Sequence, residues 1–252
     1  MVRLVIFLSI LFIGGCITTR NVPKQKEASA HYQMGVSYLN ENSQQQAFVE
    51  FKKALDLEPK NKEYHYALGH VYFIQGRNKE AEQSFRKALK IDSNYSEAHN
   101  YLGYVLETEG EIKPALAEYK EALKNTLYET PQKPHFHLGA LYFKDEQYKE
   151  AVREFQEAIR FDSNCVEICV LAYNGLGQTY LKMGQTRDAV TAFQEAIKGF
   201  PGYILPHCGL GTLYDQLGNA KQASEEFRKV ADLVPGGGEA RDYCKKAQEG
   251  SK

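Results

Sequence analysis

The chain has 252 residues, of which 43% are apolar, 12% aromatic and 25% charged. This composition is typical of a folded soluble protein and excludes whole-chain disorder, collagen and a polytopic membrane protein. Lys and Arg total 31 against 32 Asp and Glu, so no basic surplus favours nucleic acid as a partner. Only 8 prolines and no tryptophan occur, and we expect long helices rather than many short strands.

Residues 1–16 have the pattern of an export signal. One positive charge, Arg3, precedes an apolar run from Leu4 to Ile13, which is about half the length of a membrane-spanning helix. The run ends in Ile13-Gly14-Gly15-Cys16, which resembles a bacterial lipobox. The resemblance implies cleavage before Cys16 and acylation of Cys16 on its sulfur and its amine. The alternative is an uncleaved anchor, or an ordinary signal followed by an incidental cysteine.

Lipidation would give this chain a stable membrane anchor, because more than one acyl chain is attached. Ile17 follows the cysteine, and the absence of Asp there favours the outer membrane of a Gram-negative bacterium, with the protein facing the periplasm. We therefore predict a signal peptide at 1–15, followed by the lipidated cysteine and a flexible tether at 16–27.

The rest of the chain repeats one pattern six times. A glycine is followed twelve residues later by an alanine and, four residues after that, by Phe or Tyr. Small residues on two successive helices allow close approach, and the ring fills the space around the contact. Each amphipathic pair cannot bury its apolar face alone, so the copies must stack. The glycines are Gly35, Gly69, Gly103, Gly139, Gly177 and Gly211, and the alanines are Ala47, Ala81, Ala115, Ala151, Ala189 and Ala223.

This pattern resembles the tetratricopeptide repeat over residues 28–237. The resemblance implies an all-α fold, a right-handed superhelical solenoid of six helix pairs. In residues 238–252 the apolar residues recur with helical spacing, which predicts a capping helix over the open end of the stack. The predicted repeats are 28–61, 62–95, 96–129, 132–165, 170–203 and 204–237.

The repeat spacing changes at two places, where we predict surface loops. Two residues are inserted in the segment 127–131 and four around Cys165 to Cys169. Loops between repeats are candidate contact sites. For the first loop the candidate contact residues are Leu127, Tyr128, Thr130 and Pro131.

Apparent catalytic and ligand motifs are better explained by the repeat. Five histidines share the fourth position of their repeats, so we predict that they pack between neighbours rather than bind a metal. Gly175-Leu176-Gly177 contains the repeat glycine and lacks the third glycine of a dinucleotide loop. Signatures of hydrolases, zinc proteases, P-loops and kinases are missing from the sequence, so we predict no enzymatic activity, cofactor or metal. The histidines are His31, His65, His99, His135 and His207.

Four cysteines follow Cys16, at positions 165, 169, 208 and 244. In an oxidising periplasm they allow three complete pairings, and the sequence does not select one. A small disulfide between Cys165 and Cys169 is one interpretation. Free, half-buried thiols are the other.

The repeat resemblance also implies a peptide groove on the concave face, formed by positions 2, 5, 9 and 12 of the first helix in each repeat. Aromatic residues are concentrated there, as expected for a binding surface. The alternative is that some of these rings pack against neighbours in the stack. The candidates are Tyr32, Val36, Leu39, Tyr66, His70, Phe73, Asn100, Tyr104, Phe136, Phe143, Asn174 and Leu181.

The segment 122–131, Ala-Leu-Lys-Asn-Thr-Leu-Tyr-Glu-Thr-Pro, is similar to one in the type IV pilus biogenesis and stability family, the pilotins that help a secretin assemble. This resemblance implies a non-enzymatic periplasmic scaffold that binds secretin subunits, or another pilus-assembly component, and acts as a monomer. The alternative function is a general envelope adaptor that recruits cell-wall hydrolases or proteases.

Overall fold

The computed structural model describes residues 21–162, 164, 167–234 and 240–249, and every regular element among them is an α-helix. The described helices fall into two compact units, one ending at Ile91 and the other beginning at Asp92. The first unit contains α1 (Asn21–Asn40), α2 (Gln44–Leu57), α3 (Lys62–Ile74) and α4 (Asn78–Ile91). The second contains α5 (Ser96–Thr108), α6 (Ile112–Ala122), α7 (Gln132–Lys144), α8 (Tyr148–Phe161), α9 (Ile168–Lys182), α10 (Thr186–Gly199), α11 (Ile204–Gln216), α12 (Ala220–Leu233) and α13 (Ala240–Glu249).

Consecutive helices pack as the predicted pairs, which confirms the all-α repeat fold. In the first unit α1 packs on α2 and α3 on α4, and in the second unit α5 to α12 form four such pairs. The first alanine of every repeat is completely buried. The predicted reason for the repeat glycine is also confirmed: a Cβ added to Gly139 would lie 2.7 Å from a ring carbon of Phe155. Each repeat glycine meets the ring sixteen residues later in the same way.

Packing also explains the two Gly-Leu-Gly segments, at 175–177 and 209–211, that resemble the start of a dinucleotide-binding loop. A Cβ on Gly175 would lie 2.5 Å from Cζ of Phe155, and a Cβ on Gly209 would lie 2.5 Å from Cζ of Phe193. Both rings belong to the preceding repeat. The first glycine of each Gly-Leu-Gly segment therefore accommodates a neighbouring repeat, and the second accommodates the ring of its own repeat.

The turn between the two helices of each pair contains one residue with a positive φ. Glycine supplies it in four repeats, for example Gly184 with φ of 72°, a conformation that costs glycine little. Asn42 and Glu146 adopt the same conformation, with φ of 57° and 59°. The sequence pattern did not indicate this turn position.

The first helix begins earlier than the sequence predicts. Residues 21–27 were assigned to the tether, but they are the start of α1. They lack apolar periodicity because residues 23–27 are exposed, whereas Lys, Gln and Glu are good helix formers in their own right. The spacing of apolar residues therefore predicts the packed part of α1 but not its solvent-exposed first turns.

The last helix, α13, packs against α11 and α12, in the segment where the sequence predicts a cap. Cys244 on α13 is buried and forms a disulfide with Cys208 on α11. The bond closes a loop of chain with a sequence separation of 36. One of the pairings that the sequence left open is thereby assigned.

Candidate peptide-binding face

In the first unit the predicted groove residues are half-buried and contact one another and the core. Tyr32 stacks on Tyr64 with ring centroids 5.1 Å apart, and it also lies against Phe51. Tyr66 lies 5.8 Å from the ring of Phe85 and 6.4 Å from that of His70. Part of each ring therefore supports the stack, as the alternative interpretation expected, and the remainder faces solvent.

Val36 and Leu39 pack against a buried cluster of the first unit that contains Phe51 and Val71. Burial raises the pKa of Tyr32, and the carboxylate of Glu63 raises it further, so its hydroxyl stays neutral and can donate a hydrogen bond. The groove positions of this unit thus offer an apolar surface edged by phenol and imidazole groups.

In the second unit a cavity of about 140 Å³ lies between α7 and α9. Its walls include Phe136 and Phe143 of α7, which are two of the predicted groove residues. Asn174 of α9 also contacts this cavity. Asn174 is only 6% exposed, and its Oδ1 has no hydrogen-bond partner within the described part of the chain. Three groove positions of the fourth and fifth repeats therefore surround one concavity.

A second cluster in this unit combines a carboxylate, a phenol and an imidazole. The hydroxyl of Tyr119 donates to Oε2 of Glu107 over 2.7 Å, and Nδ1 of His137 lies 3.3 Å from the same oxygen. The imidazole of His137 stacks on the Tyr119 ring at 4.9 Å and lies 5.0 Å from Tyr104. Burial alone would raise the pKa of Glu107, but hydrogen bonds from His137 and Tyr119 lower it. Glu107 is thus held as an anion.

Glu107 occupies position 12 of the third repeat and is a groove residue beyond the predicted set. The repeat numbering indicates it, since the same position holds Leu39 and Phe73 in the first two repeats. Position 12 is therefore acidic in the third repeat and apolar in the first two.

The histidine column forms a set of pairs with glutamates on the second helix of the same repeat. In four repeats Nδ1 of the histidine lies 2.5 to 2.7 Å from a glutamate Oε2, nineteen residues along the chain. These pairs join the two helices of one repeat. His65, His99 and His207 also contact a carbonyl oxygen at the end of the preceding repeat, in line with the predicted packing between neighbours. The pairs are His31–Glu50, His99–Glu118, His135–Glu154 and His207–Glu226.

The two hydrogen-bond partners of His99 indicate the protonation state of its ring. Its Nε2 lies 3.0 Å from the carbonyl oxygen of Ser93 and its Nδ1 lies 2.6 Å from Glu118. A carbonyl and a carboxylate both accept, so the ring satisfies both partners when it carries two N–H groups as a cation. Burial alone would lower the pKa of His99, but the hydrogen bonds that its ring donates to Glu118 and Ser93 raise it.

The junction segment between α6 and α7 presents one of its predicted contact residues fully to solvent. Leu127 is 86% exposed, and Tyr128 beside it is only 7% exposed. Burial raises the pKa of Tyr128 to about 12. Thr130 and Pro131 are half-buried. A binding role for this segment stays a prediction, and Leu127 is the side chain positioned to serve it.

Several sequence predictions fall on parts of the chain that the structure does not describe. Cys16 and the signal peptide lie outside the described residues. The Cys165–Cys169 pairing does as well, because Cys165 is not described; Cys169 is buried in the first turn of α9, and its N–H donates to Asp162.

Neither a metal-binding cluster nor a membrane-spanning helix is present among the described residues. These ranges contain no group of three or more His, Cys, Asp or Glu residues able to hold a metal ion. Among the described helices, none combines the length and apolar character that crossing a bilayer requires.

Comparison with protein families identifies the repeat. A model described as TPR repeat matches residues 35–76 and 69–110, and two described as tetratricopeptide repeat match 134–202 and 174–238. Together these matches extend through both units. No curated protein sequence matches this chain significantly.

Solved structures with a similar fold include PilF and PilW. The Pseudomonas aeruginosa protein PilF has 21% identity and a TM-score of 0.78, with 89% of this chain and 99% of that chain covered. PilW, described as a widely conserved type IV pilus biogenesis factor, has 22% identity and a TM-score of 0.75, with 86% and 97% covered.

A third similar structure is YrrB, described as a TPR protein with an unusual peptide-binding site. It has 22% identity and a TM-score of 0.61, with 78% of this chain and 97% of that chain covered. At these identities the likeness shows the shared fold.

Proposed function

The chain belongs to the tetratricopeptide-repeat proteins, and from this premise we propose that it is a non-enzymatic pilotin lipoprotein of type IV pilus biogenesis. Acyl chains on Cys16 hold it at the periplasmic side of the outer membrane. There its concave face binds segments of secretin subunits. By concentrating the subunits at the membrane, it promotes their assembly into multimers.

The observation that carries this proposal is the near full-length fold likeness to PilF and to PilW, which is described as a type IV pilus biogenesis factor. The segment 122–131 adds independent support, because it lies at a change of repeat spacing that the repeat itself does not produce. The half-buried aromatic groove of the first unit supplies a surface suited to binding a protein segment.

Deletion of the gene tests the proposal. The secretin should remain monomeric in the deletion strain, and surface pili should be lost, as read by immunoblot of heat-resistant multimers and by electron microscopy. Complementation with the wild-type gene should restore both, whereas Cys16→Ser, which removes the acylated sulfur, should not. Normal multimers in the deletion strain would falsify the proposal.

The contact site in the first unit can be tested with Leu39→Ala combined with Phe73→Ala, two residues at position 12 of consecutive repeats. Secretin co-purification should fall severalfold, because both substitutions remove apolar contact surface. Leu39 also packs against the buried cluster that contains Phe51 and Val71, so the double variant must keep the circular dichroism spectrum and unfolding temperature of the wild type. Met34→Ala is the matched control, because Met34 is exposed on α1 outside the groove positions. Unchanged co-purification with the double variant would place the contact elsewhere.

A further inference from the structure

The last helix, α13, has a small apolar face toward the stack. Within 240–246, the part of α13 whose side chains are described, Ala240, Tyr243 and Cys244 pack against α11 and α12, and the rest are exposed. α13 has 10 residues, and isolated helices shorter than about 12–15 residues are at best marginally stable in water. α13 therefore depends on its attachment to the stack for its helical conformation.

An ion pair between α13 and α11 is exposed to solvent. Nη2 of Arg241 lies 3.1 Å from Oδ1 of Asp215, and the two side chains are 53% and 43% exposed. The guanidinium also lies 5.1 Å from the centre of the Phe227 ring on α12. Exposed ion pairs and exposed cation–π contacts each contribute little to stability. These contacts orient α13 on the stack, but they are too weak to hold it there alone.

The covalent attachment of α13 is much stronger. A disulfide joins Cys244 of α13 to Cys208 of α11 across a sequence separation of 36. In the chain-entropy model, a crosslink over a loop of this length favours the closed state by on the order of several hundredfold. Both cysteines are buried, with 1% and 0% of their surface exposed, so the docked helix shields the bond from other thiols. The bond and the docked position of α13 therefore stabilise each other.

From these contacts we propose that formation of the disulfide is the step that docks α13, so that the sixth repeat is capped in the oxidised chain and uncapped in the dithiol chain. The thiols of Cys208 and Cys244 lose two protons and two electrons as the S–S bond forms. The electrons pass to the disulfide of an exchange partner, which becomes a dithiol. Because both sulfurs are buried once α13 is docked, the exchange takes place while α13 is away from the stack.

The uncapped chain has a different surface at the end of the stack. The cluster that α13 covers includes Phe227 and Val230 of α12 and the half-buried Ile204 and Tyr214 of α11. Without α13 these side chains form an exposed apolar patch, the kind of surface that binds other proteins or hydrophobic dyes. The oxidation state of two cysteines thus decides whether the sixth repeat is closed or open, whichever partner the concave face binds.

Hydrogen exchange read by mass spectrometry tests the proposal on the whole protein, purified in detergent. The oxidised chain is compared with chain that has been reduced in urea by a phosphine and returned to buffer containing the reductant. Amide exchange in 240–249 should speed up by on the order of a hundredfold after reduction. Exchange in α7 and α8 should not change, and this shows that the remaining repeats are folded. Binding of a hydrophobic dye should rise in parallel.

Two variants separate this bond from other effects. Cys208→Ala combined with Cys244→Ala should show the same fast exchange without reductant, so that any bond made by the other cysteines is left untouched. Arg241→Gln is the matched control, because it removes the ion pair with Asp215 and keeps the disulfide. Its α13 should be protected as in the wild type.

Three results would overturn the proposal: slow exchange in 240–249 after the mass has confirmed full reduction, fast exchange there in the oxidised wild type, or the same acceleration in oxidised Arg241→Gln. The reduced wild type keeps every sulfur atom in place of an alanine methyl, so it separates loss of the bond from loss of packing. None of these readouts involves a secretin, and the outcome is therefore independent of the proposed pilotin role.

Discussion

The second and third repeats place a histidine at the same position and surround it differently. Nε2 of His65 lies 2.9 Å from the carbonyl oxygen of Pro59, and Nε2 of His99 lies 3.0 Å from that of Ser93. Nineteen residues along the chain, however, the second repeat has Ser84 where the third has Glu118. The hydroxyl of Ser84 donates to a carbonyl of its own helix instead.

Two differences in charge accompany the opposite directions of the histidine pKa, since Ser84 and Lys87 of the second repeat stand where the third has Glu118 and Glu121. Burial lowers the pKa of His65, and the bond to Pro59 compensates only in part. At His99 the hydrogen bond to the carboxylate of Glu118 adds to that with Ser93, and together they outweigh the effect of burial, so the pKa is raised. One repeat thus contains a histidine that is neutral near pH 6.5 and another contains one that is charged, because only the latter has two acceptors to satisfy.

Removing the carboxylate from the third repeat should have the largest effect. Glu118→Leu leaves the Nδ1–H of His99 without an acceptor in a mostly buried site, so we expect the free energy of unfolding at pH 6 to fall by about 2 kcal/mol. Urea unfolding followed by circular dichroism measures this. The control Glu121→Leu removes an exposed carboxylate from the same helix, one that raises the His99 pKa through space without a hydrogen bond to its ring, and it should cost less than about 1 kcal/mol. Equal effects would show that the pair contributes no specific stability.

The two histidines should tilt the pH dependence of stability in opposite directions. His99 has a raised pKa in the folded state, so its stabilisation is complete below pH 6.5 and is lost as the pH rises through that pKa. His65 has a lowered pKa, so the folded state disfavours its protonation, and stability is lost as the pH falls below 6.5.

His99→Gln and His65→Gln therefore form a matched pair for thermal unfolding between pH 5.5 and 8. Relative to the wild type, stability should rise with pH in His99→Gln and fall with pH in His65→Gln. Parallel profiles for the two variants would contradict the comparison.

Grafting the carboxylate into the second repeat should have the smallest effect on stability and the clearest spectroscopic signature. Ser84→Glu places a glutamate where the first and fourth repeats have the buried Glu50 and Glu154, and it should raise the pKa of His65 above its present value. The free energy of unfolding at pH 6 should rise by about 0.5 kcal/mol. Proton NMR titration of the His65 ring measures the pKa. Ser84→Gln, without the charge, should leave the pKa nearly unchanged.

The repeat register was predictable because its residues set how closely two helices can approach. Gly139 and Phe155 are sixteen residues apart in the sequence and in contact in the fold, and the same spacing recurs in every copy. Such positions tolerate few alternatives, so their spacing is visible in the sequence. The solvated start of α1 has no such constraint and was assigned to the tether for that reason.

The partners of the histidines were also present in the sequence, but they lie on another helix. Glutamate recurs nineteen residues after the histidine in four repeats, and it is missing where the histidine or the glutamate is replaced: Ser84 follows His65, and Ala192 follows Tyr173. The relation is not visible within either helix alone, because each pair spans two helices. The unpartnered oxygen of Asn174 is different, since only the packing around it decides whether a donor is within reach.

The bond between Cys208 and Cys244 turns the end of the chain into a covalent ring. A force that pulls on the two ends of this ring is carried by the S–S bond instead of the backbone. The chain between the two cysteines, about 120 Å when extended, therefore cannot be stretched out. The extension of the last repeat under force is therefore limited in a way that does not depend on how strongly its helices pack.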